Sequence, residues 1–225
     1  LVKVKKKPEE TTRLEELKEF EYRAYQEGFQ TIAGTDEVGR GPLAGPVAAA
    51  AVILPQDFFL EGVDDSKRLS DKKRRKLVDD IKKEAVSWAV ALLSPQYIDR
   101  ENILQASREA MRLAVQALRP APDFLLVDAI KIPDLPIQQL PIIKGDSLSV
   151  SIACASIIAK VERDETMLAY DRLYPQYGLG KHKGYATREH LLALQEFGPC
   201  PLHRRSFEPV KSMLKSSAGE QITLF

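Results

Sequence analysis

The sequence predicts an α/β fold, on three observations. Short apolar runs alternate with longer amphipathic or charged stretches, two of those runs end in acidic residues, and the chain is long enough for one well-buried core. With 225 residues, 44% of them hydrophobic, one main domain with a small appendage is expected, since single domains commonly run to ~100–200 residues.

The helical pattern starts early. Thr12 and Glu15 have the spacing of a capping box, and Leu14, Leu17, Phe20, Tyr22 and Tyr25 roughly follow a helical period up to Gly28, which suits a helix C-terminus. A single N-terminal helix is expected there, at the edge of the core. Residues 31–37 and 48–54 read as strands on either side of a glycine-rich bend, and the first ends in two acids, Asp36 and Glu37.

A charged helix over about 70–83 leads to a third apolar run at 85–93. Ser94 as N-cap and Pro95 at the first helical position then open one long helix to about residue 118. Phe124-Leu125-Leu126-Val127-Asp128 is a continuous apolar run closed by an acid, as expected of a buried strand whose last residue reaches the rim of the sheet. Another strand is expected near 138–143, a long helix from 147 to about 170, and a helix capped by Thr187 that runs to Phe197. The end from residue 216 is small and polar and reads as a mobile tail. The expected division is an N-terminal helical extension over 1–29, a catalytic domain over 30–215 with a helical C-terminal part, and a tail over 216–225.

Bulk charge does not select a partner. Lysine and arginine number 33 against 32 aspartates and glutamates, a net charge of +1, so local clusters must decide whether nucleic acid is bound. The 2 cysteines are too few for a disulfide framework, which favours a reducing, cytoplasmic setting. Cys200 and His203 form half of a zinc motif, but no second pair at ligand spacing completes it. No apolar stretch approaches the ~20 residues of a membrane span, and the lysine-rich start lacks the apolar core of a signal peptide. Membrane association is therefore not expected.

Asp36 and Glu37 are adjacent, and neighbouring strand residues point to opposite faces. Both reach one site only near a strand end or a distortion, which the glycine-rich bend after them would supply. Asp128 closes a strand, and Asp146 follows Lys144-Gly145 just before a helix. Taken singly, an acid at a strand end or helix start is better explained by capping or solvation than by catalysis. Taken together they form a carboxylate cluster that cations must neutralise, because uncompensated like charges raise one another's pKa. Oxygen-only ligands favour Mg2+ or Mn2+. Two such ions, ~3.5–4 Å apart, activate a water and stabilise the leaving oxygen of an in-line phosphodiester displacement.

The segment Gly39-Arg40-Gly41-Pro42-Leu43-Ala44-Gly45 has the spacing of neither the dinucleotide fingerprint nor the P-loop. It reads either as a plain tight turn or as a place where backbone approaches a sugar-phosphate closely.

The run Asp36-Glu37-Val38-Gly39-Arg40-Gly41-Pro42-Leu43-Ala44-Gly45-Pro46-Val47 resembles the bacterial type-two ribonuclease H family, ribonuclease HII. The resemblance continues through Asp65-Ser66-Lys67, Val127-Asp128-Ala129, Lys144-Gly145-Asp146-Ser147, Ala155-Ser156-Ile157-Ile158-Ala159-Lys160-Val161, His182-Lys183-Gly184-Tyr185 and His203-Arg204-Arg205-Ser206-Phe207, in the expected order. It implies a ribonuclease-H-like mixed β-sheet flanked by helices, with Asp36, Glu37, Asp128 and Asp146 as the catalytic, metal-holding acids. It further implies that Gly39, Arg40 and Gly41 sense the 2′-hydroxyl at an RNA-to-DNA junction and that Tyr185 packs on the sugar of the DNA side. On residue type alone, a plain core or surface role explains Tyr185 as well as a sugar contact does.

The implied reaction is endonucleolytic hydrolysis of RNA paired with DNA, and incision 5′ of ribonucleotides embedded in duplex DNA, leaving 3′-hydroxyl and 5′-phosphate ends. Ser66, Lys67, Lys144, Lys181, Lys183 and Arg204 are assigned to the substrate, largely to its phosphates. Two other readings share part of the evidence: a different two-metal nuclease or integrase of the same general fold, and a catalytically silent hybrid-binding module.

The last residues, Gln221-Ile222-Thr223-Leu224-Phe225, resemble the short peptide by which bacterial repair and replication proteins dock on the sliding clamp. That resemblance implies a clamp contact through Gln221, Leu224 and Phe225. A monomer is expected.

Overall fold

The structure, a computed structural model, describes residues 8–63 and 70–219. Ser66, Lys67, Gln221, Leu224 and Phe225 lie outside the described residues. The chain forms a five-stranded mixed sheet flanked by helices. Its strands are β1 (Ile32–Val38), β2 (Val47–Ile53), β3 (Ser87–Leu93), β4 (Phe124–Asp128) and β5 (Gln138–Ile142), in the order β3-β2-β1-β4-β5.

Apolar sequence explains the centre of that sheet. Every residue of β2 is buried, as are Ile32 to Asp36 of β1 and Phe124 to Val127 of β4, which is the continuous apolar pattern of strands covered on both faces. β1 and β4 are parallel, with Ile32 opposite Phe124 and Thr35 opposite Val127. β4 and β5 are also parallel, with Asp128 opposite Ile142. One step beyond Thr35 and Val127 along that register stand Asp36 and Asp128.

The helices are α1 (Pro8–Leu17), α2 (Glu19–Gln26), α3 (Asp71–Glu84), α4 (Pro95–Glu101), α5 (Ile103–Ala117), α6 (Val150–Leu173), α7 (Leu179–His182), α8 (Arg188–Phe197) and α9 (Val210–Gly219). Several starts are legible as caps. The Ser70 hydroxyl accepts the Lys73 N–H, Ser94 accepts that of Tyr97 and Thr187 that of His190.

Three helical expectations need correction. The N-terminal helix is two helices, because Lys18 leaves the helical region at φ −93° and ψ 0°, and Thr12 falls inside α1 instead of capping it. The helix expected from Ser94 to about residue 118 breaks at Asn102, whose φ is 72°. Its side-chain oxygen accepts the N–H groups of Leu104 and Gln105 at 2.9 and 3.1 Å, so Asn102 ends α4 and caps α5. Residues 145–147 form a separate 3-10 turn ahead of α6. At the other end, α9 extends helix into the segment read as tail, as far as Gly219.

Contacts divide the chain into two compact units. The first takes in the described parts of Leu1–Glu37, Ala49–Ala91 and Arg108–Val161, and the second those of Val38–Ala48, Leu92–Ser107 and Glu162–Phe225. In the first unit Ala24, Ile32, Phe124, Leu126, Ile142 and Ile152 form a buried cluster against which Phe20, Tyr25 and Phe29 pack. In the second, Leu43, Leu194 and Val210 form one cluster, and Val47, Ile98 and Ala106 another that Phe207 also covers. Among the described residues no helix is long and apolar enough to cross a membrane.

Candidate active site

All four predicted acids belong to the first unit. Asp36 and Glu37 lie near the end of β1, Asp128 is the last residue of β4, and Asp146 sits in the 3-10 turn. Asp36 and Asp146 are each only 5% exposed. The Glu37 N–H donates to Asp36 Oδ1 at 2.7 Å, and the Gly145 N–H donates to Asp128 Oδ1 at 2.7 Å.

Close approach explains two glycines here. A Cβ on Gly34 would stand 2.3 Å from the Ser151 carbonyl carbon, so only glycine lets the first turn of α6 settle on β1 two residues before Asp36. A Cβ on Gly145 would meet Ile152 Cδ1 at 2.6 Å and Asp128 Oδ1 at 3.3 Å.

The acids act on one another electrostatically. Burial pushes the Asp36 carboxyl well above the usual carboxylate range, the charges of Glu37, Asp128 and Asp146 push it further, and a hydrogen bond from Ser156 opposes them. Ser156, on α6, falls in the run 155–161 that carries the family resemblance, but nothing in the sequence ties it to the acids. Among the described residues, no group of three or more acidic, histidine or cysteine side chains is placed to hold a metal ion as it stands. Still, a buried acid under the field of three others, with oxygen donors only, fits a hard divalent cation, whose charge reverses the repulsion. Lys144, just before the turn, is exposed and takes the left-handed backbone conformation at φ 58°.

The predicted sugar-reading residues belong to the second unit. Gly39 has φ 89°, and a Cβ there would fall 2.1 Å from Arg163 Nε. Arg40 and Gly41 are exposed, and Tyr185, 44% exposed, brings its ring to 3.8 Å from the point where a Gly41 Cβ would sit. The segments carrying Gly41 and Tyr185 are pinned together, since the Leu43 N–H donates to the Gly184 carbonyl at 2.8 Å. A Cβ on Gly184 would collide with the Ala44 carbonyl at 2.3 Å.

Arg204 requires a correction. Assigned from sequence to the substrate, it is fully buried, and its guanidinium donates to the carbonyls of Gly39, Arg40 and Gly45 at 2.5, 2.7 and 3.1 Å. Five donors in a rigid fork suit a loop of inward-turned carbonyls. Arg163, which sequence reading left without a role, donates in the same way to Pro46, Ala44 and Lys183. Burial and the neighbouring Arg163 charge push Arg204 down to about 9. The two arginines shape the glycine loop from behind. Lys181 is exposed and pairs with Glu189 at 2.6 Å, while the Lys183 ammonium turns back onto the Gly180 carbonyl.

The Cys200 and His203 pair belongs to a histidine stack. The His203 Nδ1 accepts the Cys200 N–H at 3.0 Å, and His203 Nε2 lies 3.0 Å from His190 Nε2. His190 Nδ1 contacts the Tyr185 carbonyl at 2.9 Å, and its ring stacks on His182. The stack thereby holds the backbone of Tyr185.

Known proteins bear on the same constellation. The sequence pattern of the family described as Ribonuclease HII matches residues 33–210. A Ribonuclease HII of Syntrophomonas wolfei is 62% identical over 96% of this chain and 86% of its own. The crystal structure of the ribonuclease H2 from Pyrococcus horikoshii superposes with a TM-score of 0.70 at 25% identity, over 83% of this chain and 98% of that one. The ribonuclease HII of Archaeoglobus fulgidus, solved in complex with PCNA, does so with a TM-score of 0.67 at 25% identity, over 80% and 96%. The chain belongs to the ribonuclease HII family and is a ribonuclease H, a hydrolase of phosphodiester bonds.

Proposed function

We propose that this protein hydrolyses the RNA strand of RNA/DNA hybrids and incises duplex DNA on the 5′ side of embedded ribonucleotides, with two divalent metal ions held by Asp36, Glu37, Asp128 and Asp146. The observation that carries the reading is the placement of Asp36 and Asp128 one step beyond the paired Thr35 and Val127, with Glu37 hydrogen-bonded to Asp36 and Asp146 next to the Gly145 that hydrogen-bonds to Asp128. Such a cluster is costly unless positive charge enters it. Bound there, Mg2+ or Mn2+ would supply an activated water and charge stabilisation for the departing oxygen.

The remaining work falls to the chain. Water oxygen bonds to phosphorus as the bond from phosphorus to the 3′-oxygen breaks, and the 3′-oxygen leaves as a hydroxyl while the ribonucleotide keeps the 5′-phosphate. Asp128 and Asp146, tied through Gly145, hold their oxygens in a fixed relation. In the second unit, Gly39, Arg40 and Gly41 read the 2′-hydroxyl, which distinguishes RNA from DNA, and the exposed Tyr185 ring lies against the neighbouring sugar. Lys144, Lys181 and Lys183, with Ser66 and Lys67, contact phosphates. Gln221, Leu224 and Phe225 dock on a sliding clamp, and the protein acts as a cytoplasmic monomer.

A substrate panel tests this reading. An RNA/DNA hybrid, a DNA duplex with one ribonucleotide and an all-DNA duplex are each incubated with Mg2+, Mn2+ or chelator, using the wild type and Tyr185→Ala. The expected result is metal-dependent cutting of the first two, with 5′-phosphate ends, and a loss in Tyr185→Ala that is larger for the single-ribonucleotide duplex. Cutting of all three duplexes alike, or cutting in chelator, would overturn it. The clamp contact fails if removing residues 221–225 leaves affinity for the clamp unchanged.

A further inference from the structure

We infer that Glu21, on a helix that precedes the part of the chain matched by the family pattern, is a positioning residue for Asp146, acting through the N-terminus of α6. The inference rests on the reading of Asp146 as a metal ligand.

The family match begins at residue 33, so α1 and α2 lie ahead of it. Glu21 nevertheless points from α2 into the first unit and is 6% exposed. Its Oε1 accepts the Ser149 hydroxyl at 2.6 Å and the Ser151 N–H at 2.9 Å. The Ser149 hydroxyl oxygen in turn takes the Ile152 N–H at 3.2 Å. Glu21 and Ser149 thus satisfy N–H groups that a helix start leaves open, and they place a carboxylate at the positive end of the helix dipole.

The same residues hold the turn that carries Asp146. The Ser149 N–H donates to the Gly145 carbonyl at 2.9 Å, and the Gly145 N–H donates to Asp128. Gly145, the residue before Asp146, is therefore held at both of its backbone groups: its N–H by Asp128, and its carbonyl by Ser149, which Glu21 holds in turn. Below it, α6 rests on the bare Cα of Gly34. Burial pushes the Glu21 carboxyl up despite the serine and backbone donors, so its position carries a desolvation cost. The contact joins α2 to the start of α6 across 128 residues of sequence. The break at Lys18 lets α2 set its own orientation, with Glu21 and Ala24 as its buried residues.

The test compares Glu21→Ala, Glu21→Gln, Ser149→Ala and Asp146→Asn in the full chain, reading Mn2+ binding by calorimetry together with kcat and KM on an RNA/DNA hybrid. Residues that orient metal ligands typically change metal affinity by about 10–100-fold, so Glu21→Ala is expected to weaken Mn2+ binding about 10-fold and to lower kcat, with KM within about 2-fold. Glutamine keeps the accepting oxygen, and a cavity of about 20 Å3 bordered by Lys18, Tyr22 and Tyr25 adjoins the site. Glu21→Gln is therefore expected within about 3-fold of wild type, since the acceptor is retained.

Ser149→Ala, a smaller change, is expected to follow Glu21→Ala and decides the matter if that variant does not fold. Wild-type Mn2+ affinity in folded Glu21→Ala, or in Ser149→Ala if Glu21→Ala is not folded, overturns the inference while loss of binding in Asp146→Asn leaves the metal site standing. Wild-type Mn2+ binding and cleavage in Asp146→Asn would instead overturn the reading on which the inference rests.

Discussion

Asp128 Oδ1 accepts the Gly145 N–H at 2.7 Å, so the acid that closes β4 and the turn that carries Asp146 share one hydrogen bond. Gly145→Ala would drive a methyl group to 2.6 Å from Ile152 Cδ1 and 3.3 Å from Asp128 Oδ1. The expected result is a fall in kcat of about 10-fold or more, from misplaced ligands. The accompanying loss of stability is about 1–3 kcal/mol, as for overpacking in general. Steady-state kinetics with denaturant melts checks both, and an unchanged kcat would show that the turn tolerates movement.

Asp36 gives a prediction with a defined sign. Its carboxyl is pushed up by burial and by its acidic neighbours. A raised acid adds stability below its unfolded value of 3.8 and loses that contribution as pH rises through its folded value. Metal-free protein is therefore weakened by Asp36 at neutral pH. Asp36→Asn should raise the melting temperature in chelator at pH 7 and abolish cleavage, whereas added Mn2+ should stabilise the wild type far more than the variant. Equal melting temperatures in chelator would contradict this.

For Arg204, salt dependence distinguishes a scaffold from a phosphate contact. A lost phosphate contact reduces the salt slope of binding by about 1. Because the guanidinium is buried on the carbonyls of Gly39, Arg40 and Gly45, Arg204→Ala should leave that slope unchanged. It should destabilise the fold by about 2–4 kcal/mol, as carbonyls and a core lose their partner. Arg204→Lys should not rescue it, since one ammonium cannot span the same acceptors. Binding measured across a salt series, with melts, tests the pair of outcomes.

The histidine stack predicts acid sensitivity. Burial is the main cause that lowers His203 from 6.5 to about 4, and it lowers His190 as well. With His190 Nδ1 donating to Tyr185, the hydrogen-bond network makes its Nε2 the acceptor for His203 Nε2–H. Protonation of either ring would set two N–H groups against each other. The unfolded histidines take up protons first, so stability is full above 6.5 and declines as pH falls toward about 4. A loss on the order of 2 kcal/mol is expected over that interval. His203→Gln should flatten the dependence. Urea melts of both proteins between pH 7.5 and 4.5 check this, and parallel curves would count against it.

What could be read from the sequence was whatever is determined locally. The strand ending at Asp128 and the caps at Ser94 and Thr187 each depend on a few adjacent residues, and the structure places them there. The break at Asn102 was hidden because its neighbours keep a helical pattern, and only the left-handed φ and the cap on α5 reveal it. Arg204 reads as a surface cation in sequence. Its burial depends on carbonyls more than 150 residues earlier in the chain, at separations of 158 to 165. Glu21 was likewise one acid among several on a charged helix, and its partner is 128 residues away. The four acids stood out through their motifs, but their mutual electrostatic pressure required the register of β1 with β4.

The most direct measurement is cleavage of a DNA duplex carrying one ribonucleotide by the wild type and by Asp128→Asn, each titrated with Mn2+. If the acids hold the catalytic metals, the wild type cuts 5′ of the ribonucleotide in proportion to bound metal, and the folded variant loses both Mn2+ binding and cutting by at least about 100-fold. A folded Asp128→Asn protein that binds Mn2+ and cuts at the wild-type rate would contradict the account.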